Sequence, residues 1–216
     1  MAVELEARRD GGCVVLASGG IESTTLLHRL ARKGGRIAPV FFHYGQRPSE
    51  REHRAARAQC RELGLELEVL DIAGVTPVFQ AGQERRYHIP LPHRNLVALS
   101  LGLSLAEKRG ADRLLIGTTG DDADLATSAS RPFLDAFRGM AGLLGPVSVE
   151  APFQEMGKDE VVREGLRLGV DFGRTYSCLL GRREPCGSCP QCRKRRSAFQ
   201  RAGVPEPRPA LDPGEA

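Results

Sequence analysis

The sequence predicts an α/β protein built on a doubly wound, mostly parallel sheet. Short apolar runs alternate along the chain with longer segments whose apolar residues have helical spacing. Parallel strands need a crossover helix between them, so this alternation indicates successive βαβ units. The 216 residues, of which 41% are hydrophobic and 27% charged, suit one globular domain with a small appendage.

Each predicted element has its own signal. The run CVVLA is short and apolar, whereas Leu26, Leu27 and Leu30 in the next segment recur with helical spacing. Gly169 is placed to end the last helix of the series. We predict strands at 13–17, 36–42, 65–72, 112–119 and 147–152. We predict helices at 22–33, 50–63, 132–144 and 158–169.

The segment 96–106 supports two interpretations. Its apolar residues recur at every second position, which is the period of a strand. The residues between them are all small, a pattern that a fully buried helix also tolerates. Because a parallel sheet requires a crossover between its third and fourth strands, we predict a helix.

Three regions are expected along the chain: an α/β domain at 1–170, a cysteine-containing segment at 171–207 and a flexible tail at 208–216. Two long loops, 73–92 and 118–131, suggest functional roles. No apolar run approaches the roughly 20 residues that span a bilayer. The charged N-terminus does not resemble a signal peptide, so we expect a cytoplasmic protein without a membrane partner.

The stretch CVVLASGGIESTTLL joins the first strand to the first helix through a Ser-Gly-Gly turn. Glycines permit positive φ and let the backbone approach a ligand closely. The helix that follows presents unpaired N–H groups and the positive end of its dipole. Ser18, Ser23 and Thr24 add hydroxyl groups. The combination predicts a phosphate or pyrophosphate site, although a plain glycine turn would also fit.

Four of the six cysteines lie within 15 residues of one another. Cysteines of a cytoplasmic protein stay reduced, so the cluster indicates a metal site. Four thiolates form a closed, structural zinc site, and the spacing leaves an iron–sulfur cluster as the alternative. Cys13 and Cys60 stand apart and are expected to be structural. The four candidate ligands are Cys178, Cys186, Cys189 and Cys192.

The formal net charge of +4 comes from the C-terminal region. From Asp171 onward, nine Lys/Arg stand against five Asp/Glu. Such a patch can meet phosphates or nucleic acid. We favour a solvated surface whose arginines offset the charge of the thiolates, and a nucleic-acid partner stays open. The arginines nearest to the cysteines in sequence are Arg182, Arg183, Arg193 and Arg195.

Several motifs carry a family resemblance. SGGIES resembles the SGGxDS pyrophosphate loop of the N-type ATP pyrophosphatase superfamily. FHYGQR is similar to the FDYGQR of 7-cyano-7-deazaguanine synthases, and PHRN and SRPFLDAF are similar to their PGRN and RPEF-type segments. LGVDFGRTYSC, CGSCPQC and AFQRAGVPEP extend the likeness, which covers 12–207 in one collinear order. It implies a divergent family member with an adenine nucleotide alpha hydrolase-like fold.

The resemblance has four departures. Glu22 stands where the loop usually has Asp, His43 replaces an Asp, and His93 replaces a Gly. The segment 121–132 reads DDADLATSASRP, where the family reads approximately DYSGYPDCRP. That loop helps to hold the deazaguanine in the family, so its change bears on the substrate rather than on the chemistry.

The resemblance implies a reaction. The family converts 7-carboxy-7-deazaguanine to its nitrile with ammonia and ATP. Adenylation turns a carboxylate oxygen into part of AMP, ammonia displaces AMP to give an amide, and a second adenylation followed by loss of AMP gives the nitrile. Mg²⁺ is expected to hold the phosphates, zinc the cysteines, and the active form is expected to be a homodimer.

The resemblance also implies site residues. Glu22, Arg94 and Lys158 are the expected catalytic residues. Ordinary alternatives are surface ion pairs or helix ends for the basic residues, and structural hydrogen bonds for His43 and His93. The expected pyrophosphate loop is Ala17, Ser18, Gly19, Gly20, Ile21, Glu22, Ser23 and Thr24. The expected substrate residues are Tyr44, Gln46, Asn95, Asp121, Asp122 and Arg131.

Other functions remain open. The same adenylating chemistry could act on a different deazapurine, carboxylate or macromolecule, as the altered 121–132 loop suggests. A tRNA-modifying enzyme would use the basic C-terminal region as its platform. A nucleotide-binding relative without activity would be consistent with Glu22.

Overall fold

The structure is a computed structural model, and it describes residues 11–75, 77–80, 91–122 and 127–208. Its strands are Cys13–Leu16 (β1), Ile37–His43 (β2), Glu68–Asp71 (β3), Arg113–Ile116 (β4) and Ser148–Glu150 (β5). Its helices are Ile21–Lys33 (α1), Ser49–Glu62 (α2), Pro77–Gln80 (α3), Arg94–Lys108 (α4), Arg131–Leu144 (α5), Lys158–Leu168 (α6) and Pro190–Ala202 (α7).

The five strands form one parallel sheet in the order β3-β2-β1-β4-β5. Side chains alternate across a strand, and β1 shows the result. Cys13 and Val15 join a core with α1, α6 and α7, whereas Val14 and Leu16 join a second core with α4 and α5. Helices therefore cover both faces, which confirms the predicted doubly wound fold.

Helix α4 settles the ambiguity of the alternating segment. Its buried positions are Leu99, Gly102, Leu103 and Ala106, which have the spacing of one helix face, while Leu101 is exposed. A Cβ added at Gly102 would lie 2.9 Å from Leu114 Cδ1. The predicted helix is confirmed, and its glycine lets it pack closely on β4.

Two parts of the chain differ from the sequence prediction. The 73–92 segment is not loop throughout, since a 3-10 turn at Ala73–Val75 and the short helix α3 occupy its first part, and Pro77 suits a first helical position. Helix α7 was not predicted, because its buried face consists of Cys192, Arg195, Ala198 and Phe199 instead of leucines. Residues 81–90, 123–126 and all but Arg208 of the 208–216 tail lie outside the described residues.

Helix α7 connects the cysteine segment to the domain. It packs against α6, and its Phe199 meets Phe172 edge to face at 5.5 Å between ring centroids. Arg195 is buried, and its guanidinium donates to Thr175 Oγ1 at 2.7 Å and to the Phe172 carbonyl at 2.8 Å, while it pairs with Glu206 at 3.1 Å. Arg195 therefore fixes the C-terminal chain, instead of mainly balancing thiolate charge as predicted.

Candidate functional site

A cavity of about 220 Å³ opens at the carboxyl ends of β1 and β4. The chain leaves β1 toward β2 on one side and reaches β4 on the other, so this is the point where the strand order reverses. Open α/β sheets bind ligands there. The predicted site residues that line the cavity are Ala17, Ser18, Gly20, Glu22, Ser23, Tyr44, Gln46, Arg94, Asn95, Asp122 and Lys158.

The Ser-Gly-Gly turn is held by its own hydroxyl groups. Ser23 Oγ accepts a hydrogen bond from the Ser18 backbone N–H at 3.2 Å and lies 3.1 Å from Ser18 Oγ. Ser23 also donates to the Gly20 carbonyl at 3.4 Å. The loop thus places two hydroxyl groups at the N-terminus of α1, whose first N–H groups have no intrahelical acceptors. This arrangement suits an anionic phosphate group.

Gly19 has the positive φ predicted for a glycine of this turn, but its close backbone contact is with a helix instead of the cavity. Its φ is +75°, and a Cβ there would lie 2.4 Å from the Glu52 carbonyl oxygen and 2.8 Å from the Ala56 nitrogen. Gly19 therefore allows α2 to pack against the turn, and it does not line the cavity. Ile21 and Thr24, predicted as part of the pyrophosphate loop, are also buried and do not line the cavity.

A buried ion pair joins the loop to α6. Lys158 Nζ lies 2.7 Å from Glu22 Oε1, with side-chain exposures of 6% and 12%. Burial acts to lower the pKa of Lys158, but the carboxylates of Glu22, Asp122 and Asp121 outweigh it and raise that pKa. The ammonium is therefore charged at neutral pH and stands on the cavity wall beside the turn.

The two adjacent aspartates have separate roles. Asp122 lines the cavity, and its Oδ2 accepts hydrogen bonds from the Thr119 backbone N–H at 3.0 Å and hydroxyl at 3.1 Å. Asp121 is outside the cavity lining. Its Oδ2 accepts from the Lys158 backbone N–H at 3.1 Å and pairs with Arg201 of α7 at 2.9 Å. Asp121 therefore orients the start of α6, and α7 holds Asp121.

The predicted substrate residues after β2 form a hydrogen-bonded unit. Gln46 Oε1 accepts from the Tyr44 backbone N–H at 2.9 Å, and Nε2 donates to the Phe42 carbonyl at 3.0 Å and to Glu52 Oε2 at 3.2 Å. Burial raises the pKa of Tyr44, so its hydroxyl stays neutral. Gln46 thus fixes the wall of the cavity around Tyr44 and Glu52.

Sequence reasoning missed Glu52, which lines the cavity from α2. Burial raises its pKa to about 7, against the opposing effects of the Gln46 hydrogen bond and of Arg94. A signal was present, because Glu52 precedes the buried Ala55 and Ala56 by three and four positions. That spacing puts it on the buried face of the helix.

The remaining predicted residues lie in three settings. Asn95 lines the cavity and donates to the Ser128 carbonyl at 3.1 Å, so it fastens the changed loop and does not cap its helix. Arg131 does not line the cavity, since it is exposed and its guanidinium binds Glu155 at 3.2 Å. His43 Nδ1 lies 2.6 Å from Ser49 Oγ. His93 precedes α4 with φ +52°, a backbone role that explains why the family can use Gly there.

The four predicted metal ligands converge. The sulfur atoms of Cys178, Cys186, Cys189 and Cys192 all lie within 4.8 Å of one another, so the cluster could hold a metal ion. Burial acts to raise the pKa of Cys186, but the backbone N–H groups of Ser188 and Cys189 outweigh it and lower that pKa to about 6. Cys13 and Cys60 are buried away from this cluster in the first core.

The cysteine segment also forms a wall of the cavity. The residues that line it lie beside or between the four clustered cysteines, and they are Tyr176, Ser177, Leu179 and Gln191. Tyr176 donates its backbone N–H to the Gly19 carbonyl at 2.9 Å and its hydroxyl to the Arg182 carbonyl at 2.8 Å. The cavity is therefore shaped jointly by the glycine turn and by the cysteine segment.

Comparisons with known proteins find relatives that match most of the chain. The family model of Queuosine biosynthesis protein QueC matches residues 12–203. The 7-cyano-7-deazaguanine synthase of Azotobacter vinelandii is 37% identical over 215 residues, covering 90% of this chain and 96% of that protein. The corresponding protein of Chromohalobacter salexigens is 34% identical over 211 residues, covering 90% of this chain and 84% of that protein.

Solved structures share the fold at low identity. NMN synthetase from Francisella tularensis superposes with a TM-score of 0.55 and 12% identity, covering 96% of this chain and 90% of that one. The U34-tRNA thiolase NcsA from Methanococcus maripaludis, described with its [4Fe-4S] cluster, gives a TM-score of 0.54 and 15% identity over 90% and 68% of the two chains. Within the described residues, no helix is long and apolar enough to cross a membrane. The family match and the two synthases show that the chain belongs to the Queuosine biosynthesis protein QueC family.

Proposed function

We propose that the protein converts 7-carboxy-7-deazaguanine and ammonia to 7-cyano-7-deazaguanine in an ATP-dependent reaction through adenylated intermediates, which makes it a C–N ligase. Its relatives are named for synthesis of this nitrile. The observation that carries the ATP part is the Ser18–Ser23 turn with the buried Lys158–Glu22 pair beside it. A hydroxyl-lined helix start with a fixed cation suits the pyrophosphate that leaves when a carboxylate is adenylated.

Each residue has a proposed part in that step. The hydroxyl groups of Ser18 and Ser23 and the N–H groups at the start of α1 bind the β- and γ-phosphates. Lys158, held in place by Glu22 and by the Asp121 contact to its backbone, stabilises the charge that develops on the pyrophosphate. Arg94 also lines the cavity, where a guanidinium can bind a phosphate or the substrate carboxylate in a bidentate manner.

The donor set on the wall also fits Mg²⁺. Glu22 and Asp122 present carboxylate oxygens to the cavity, and this ion takes oxygen ligands together with substrate phosphates. When bound, Mg²⁺ would neutralise phosphate charge. Glu22 has one methylene more than the usual Asp of the loop, and its carboxylate lies 2.7 Å from Lys158 Nζ.

The metal of the cysteine cluster is proposed to be zinc. Four sulfur ligands at about 2.3 Å from a tetrahedral ion lie roughly 3.8 Å apart, and Cys186 Sγ and Cys192 Sγ are 4.0 Å apart. An iron–sulfur cubane binds its thiolates on four separate irons and needs them farther apart. Elemental analysis should find one zinc per chain in a colourless protein, whereas a brown protein that contains iron would contradict the assignment.

The reaction is tested with 7-carboxy-7-deazaguanine, ATP, Mg²⁺ and ammonium. Mass spectrometry should detect the nitrile, and omission of ATP or ammonium should abolish it. Glu22→Asp provides the matched variant, since it restores the residue usual in the loop and should keep the activity. No nitrile from either protein, under conditions in which a known synthase makes it, would contradict the proposal.

One observation favours a different substrate for the adenylation. Arg131 and Asp121, expected from the family loop to contact substrate, are both outside the cavity lining. The same adenylation could therefore serve a different deazapurine, another carboxylate or a macromolecule such as tRNA. Release of AMP with one of these acceptors, and not with the deazaguanine acid, would favour this candidate.

The assembly and location are proposals of the same kind. We expect a homodimer in the cytoplasm, as the family resemblance implies. Light scattering of the purified protein should give about twice the mass of one 23.5 kDa chain, and a monomeric mass at micromolar concentration would contradict the dimer.

A further inference from the structure

One carboxylate in the cavity has no part in the chemistry described above. Glu52 reaches the cavity wall from α2. Among the described residues, Gln46 is the only side chain that donates a hydrogen bond to it, at 3.2 Å to Oε2. Both carboxylate oxygens have two lone-pair directions, so the group retains acceptor capacity toward the cavity.

Neighbouring groups of the protein hold the Glu52 carboxylate in place without a ligand. The two N–H groups of Gln46 go to the Phe42 carbonyl and to Glu52, and its oxygen accepts from Tyr44. Gln46 therefore fixes the carboxylate and has no N–H left for a ligand. The backbone of α2 is fixed as well, because Gly19 packs directly against the Glu52 carbonyl.

A fixed carboxylate selects ligands that offer donors. The guanine edge of a 7-deazaguanine presents two neighbouring donors, the ring N1–H and the 2-amino group, which match the two oxygens of one carboxylate. The corresponding edge of adenine presents one donor and one acceptor, and its ring nitrogen would meet a carboxylate oxygen without a proton between them. The ionised form of Glu52 therefore suits the deazaguanine and not the base of ATP.

We propose that Glu52 is a specificity residue that binds the N1–H and 2-amino edge of the 7-deazaguanine substrate. This inference rests on the proposed function, because it assigns one contact to the substrate named there. It leaves the loop at Ser18–Ser23, Lys158 and Arg94 for the phosphates and the carboxylate of the substrate. The apolar walls formed by Val40, Phe42 and Ile72 provide surfaces against which the flat ring can pack.

The test is a binding titration with two ligands, 7-carboxy-7-deazaguanine and its analogue without the 2-amino group. A charge-assisted hydrogen bond to that group predicts roughly 10- to 100-fold tighter binding of the amino compound to the unmodified protein. Glu52→Gln should reduce this ratio to about 3-fold or less. The control Glu50→Gln alters an exposed carboxylate of the same helix that pairs with Arg54, and it should keep the ratio.

The pH dependence of the same ratio provides a second readout. Burial raises the pKa of Glu52 to about 7, with Gln46 and Arg94 opposing it, and Tyr44 is the other titratable group that faces it. The 2-amino group gains its charge-assisted hydrogen bond only when Glu52 is ionised, so the ratio should rise, by at most about tenfold, as the pH increases from about 6 to about 8. Any ionisation of the substrate carboxylate cancels, because both ligands carry that group. Glu52→Gln should remove the rise.

Four outcomes are decisive. Loss of the amino preference in Glu52→Gln with unchanged ATP affinity supports the proposal. An equal ratio in wild type and variant overturns it. The proposal is also overturned if Glu52→Gln loses the preference for ATP over the ATP analogue without the 6-amino group, since Glu52 would then contact adenine. If Glu52→Gln does not fold, Glu52→Asp, which withdraws the carboxylate by one methylene, must lower the ratio or the proposal fails. Binding of both ligands without any turnover would contradict only the proposed reaction.

Discussion

For the Lys158–Glu22 pair, we predict that stability can be restored without restoring activity. Lys158→Met removes the cation and leaves Glu22 as a buried carboxylate whose partner was 2.7 Å away. Breaking a buried pair by removing one member costs roughly 3–5 kcal/mol. For a chain of this size that corresponds to a Tm lowered by roughly 6–20 °C. The loss arises from the unpaired charge, not from the missing lysine itself.

The double variant isolates that cause. Glu22→Gln with Lys158→Met removes both charges, so most of the lost stability should return. Activity should not return, because loss of one group that stabilises charge in the transition state costs roughly 10²–10³ in kcat. Lys33→Met, which alters an exposed lysine of α1, is the control and should change the free energy of unfolding by less than about 0.5 kcal/mol.

The assay combines thermal unfolding with steady-state release of AMP. The pKa of Lys158 is raised above its ordinary value of 10.5. The ammonium of Lys158 is therefore fully charged at neutral pH, and its contribution to stability is lost as the pH rises through the folded-state pKa. Measurements near neutral pH are thus unaffected by this titration. A Lys158→Met variant as stable as wild type, or a double variant with normal kcat, would refute the reasoning.

Three further predictions follow from single features. Gly19→Ala should destabilise the protein by about 2–4 kcal/mol because its Cβ would meet the backbone of α2, whereas Gly34→Ala, with a similar φ but open space, should cost about 1–2 kcal/mol in chemical denaturation; equal costs would exclude the clash. Chelation of the cysteine-bound metal should abolish ATP binding together with the helical signal of α7, and ATP affinity that survives metal removal would show that the segment does not shape the cavity. Burial acts to raise the pKa of Asp159, but its own backbone N–H and two arginines outweigh it and lower that pKa below 3.8, so stability is lost as pH falls through that range; Asp159→Asn should flatten the acid limb of the stability profile, and an unchanged limb would contradict this.

The fold was predictable because local and global signals agreed. The apolar runs and helical spacings were separate indications of the same βαβ units, and the crossover rule identified α4 where periodicity alone indicated a strand. The glycine turn and the four cysteines were also accessible, since their function depends on residues close together in sequence.

The parts that failed depend on distant contacts. Helix α7 was missed because its buried face contains Arg195, whose partners Thr175 and Glu206 come together only in the folded chain. The contacts of Asp121 could not be predicted for the same reason, since Arg201 and the start of α6 reach it from 80 and 37 positions away. In the sequence, Glu52 is one of several charged residues on a helix. Only the folded structure shows that Gly19 and Gln46 fix it in the cavity.

The central claim is that the cavity beside the glycine turn adenylates a deazaguanine acid. Its most direct test is to count the products of ATP cleavage during a single conversion. The account predicts AMP and pyrophosphate in equal amounts, two of each for every nitrile formed, and none without the acid. Formation of ADP and phosphate, or ATP cleavage that does not depend on the acid, would contradict it.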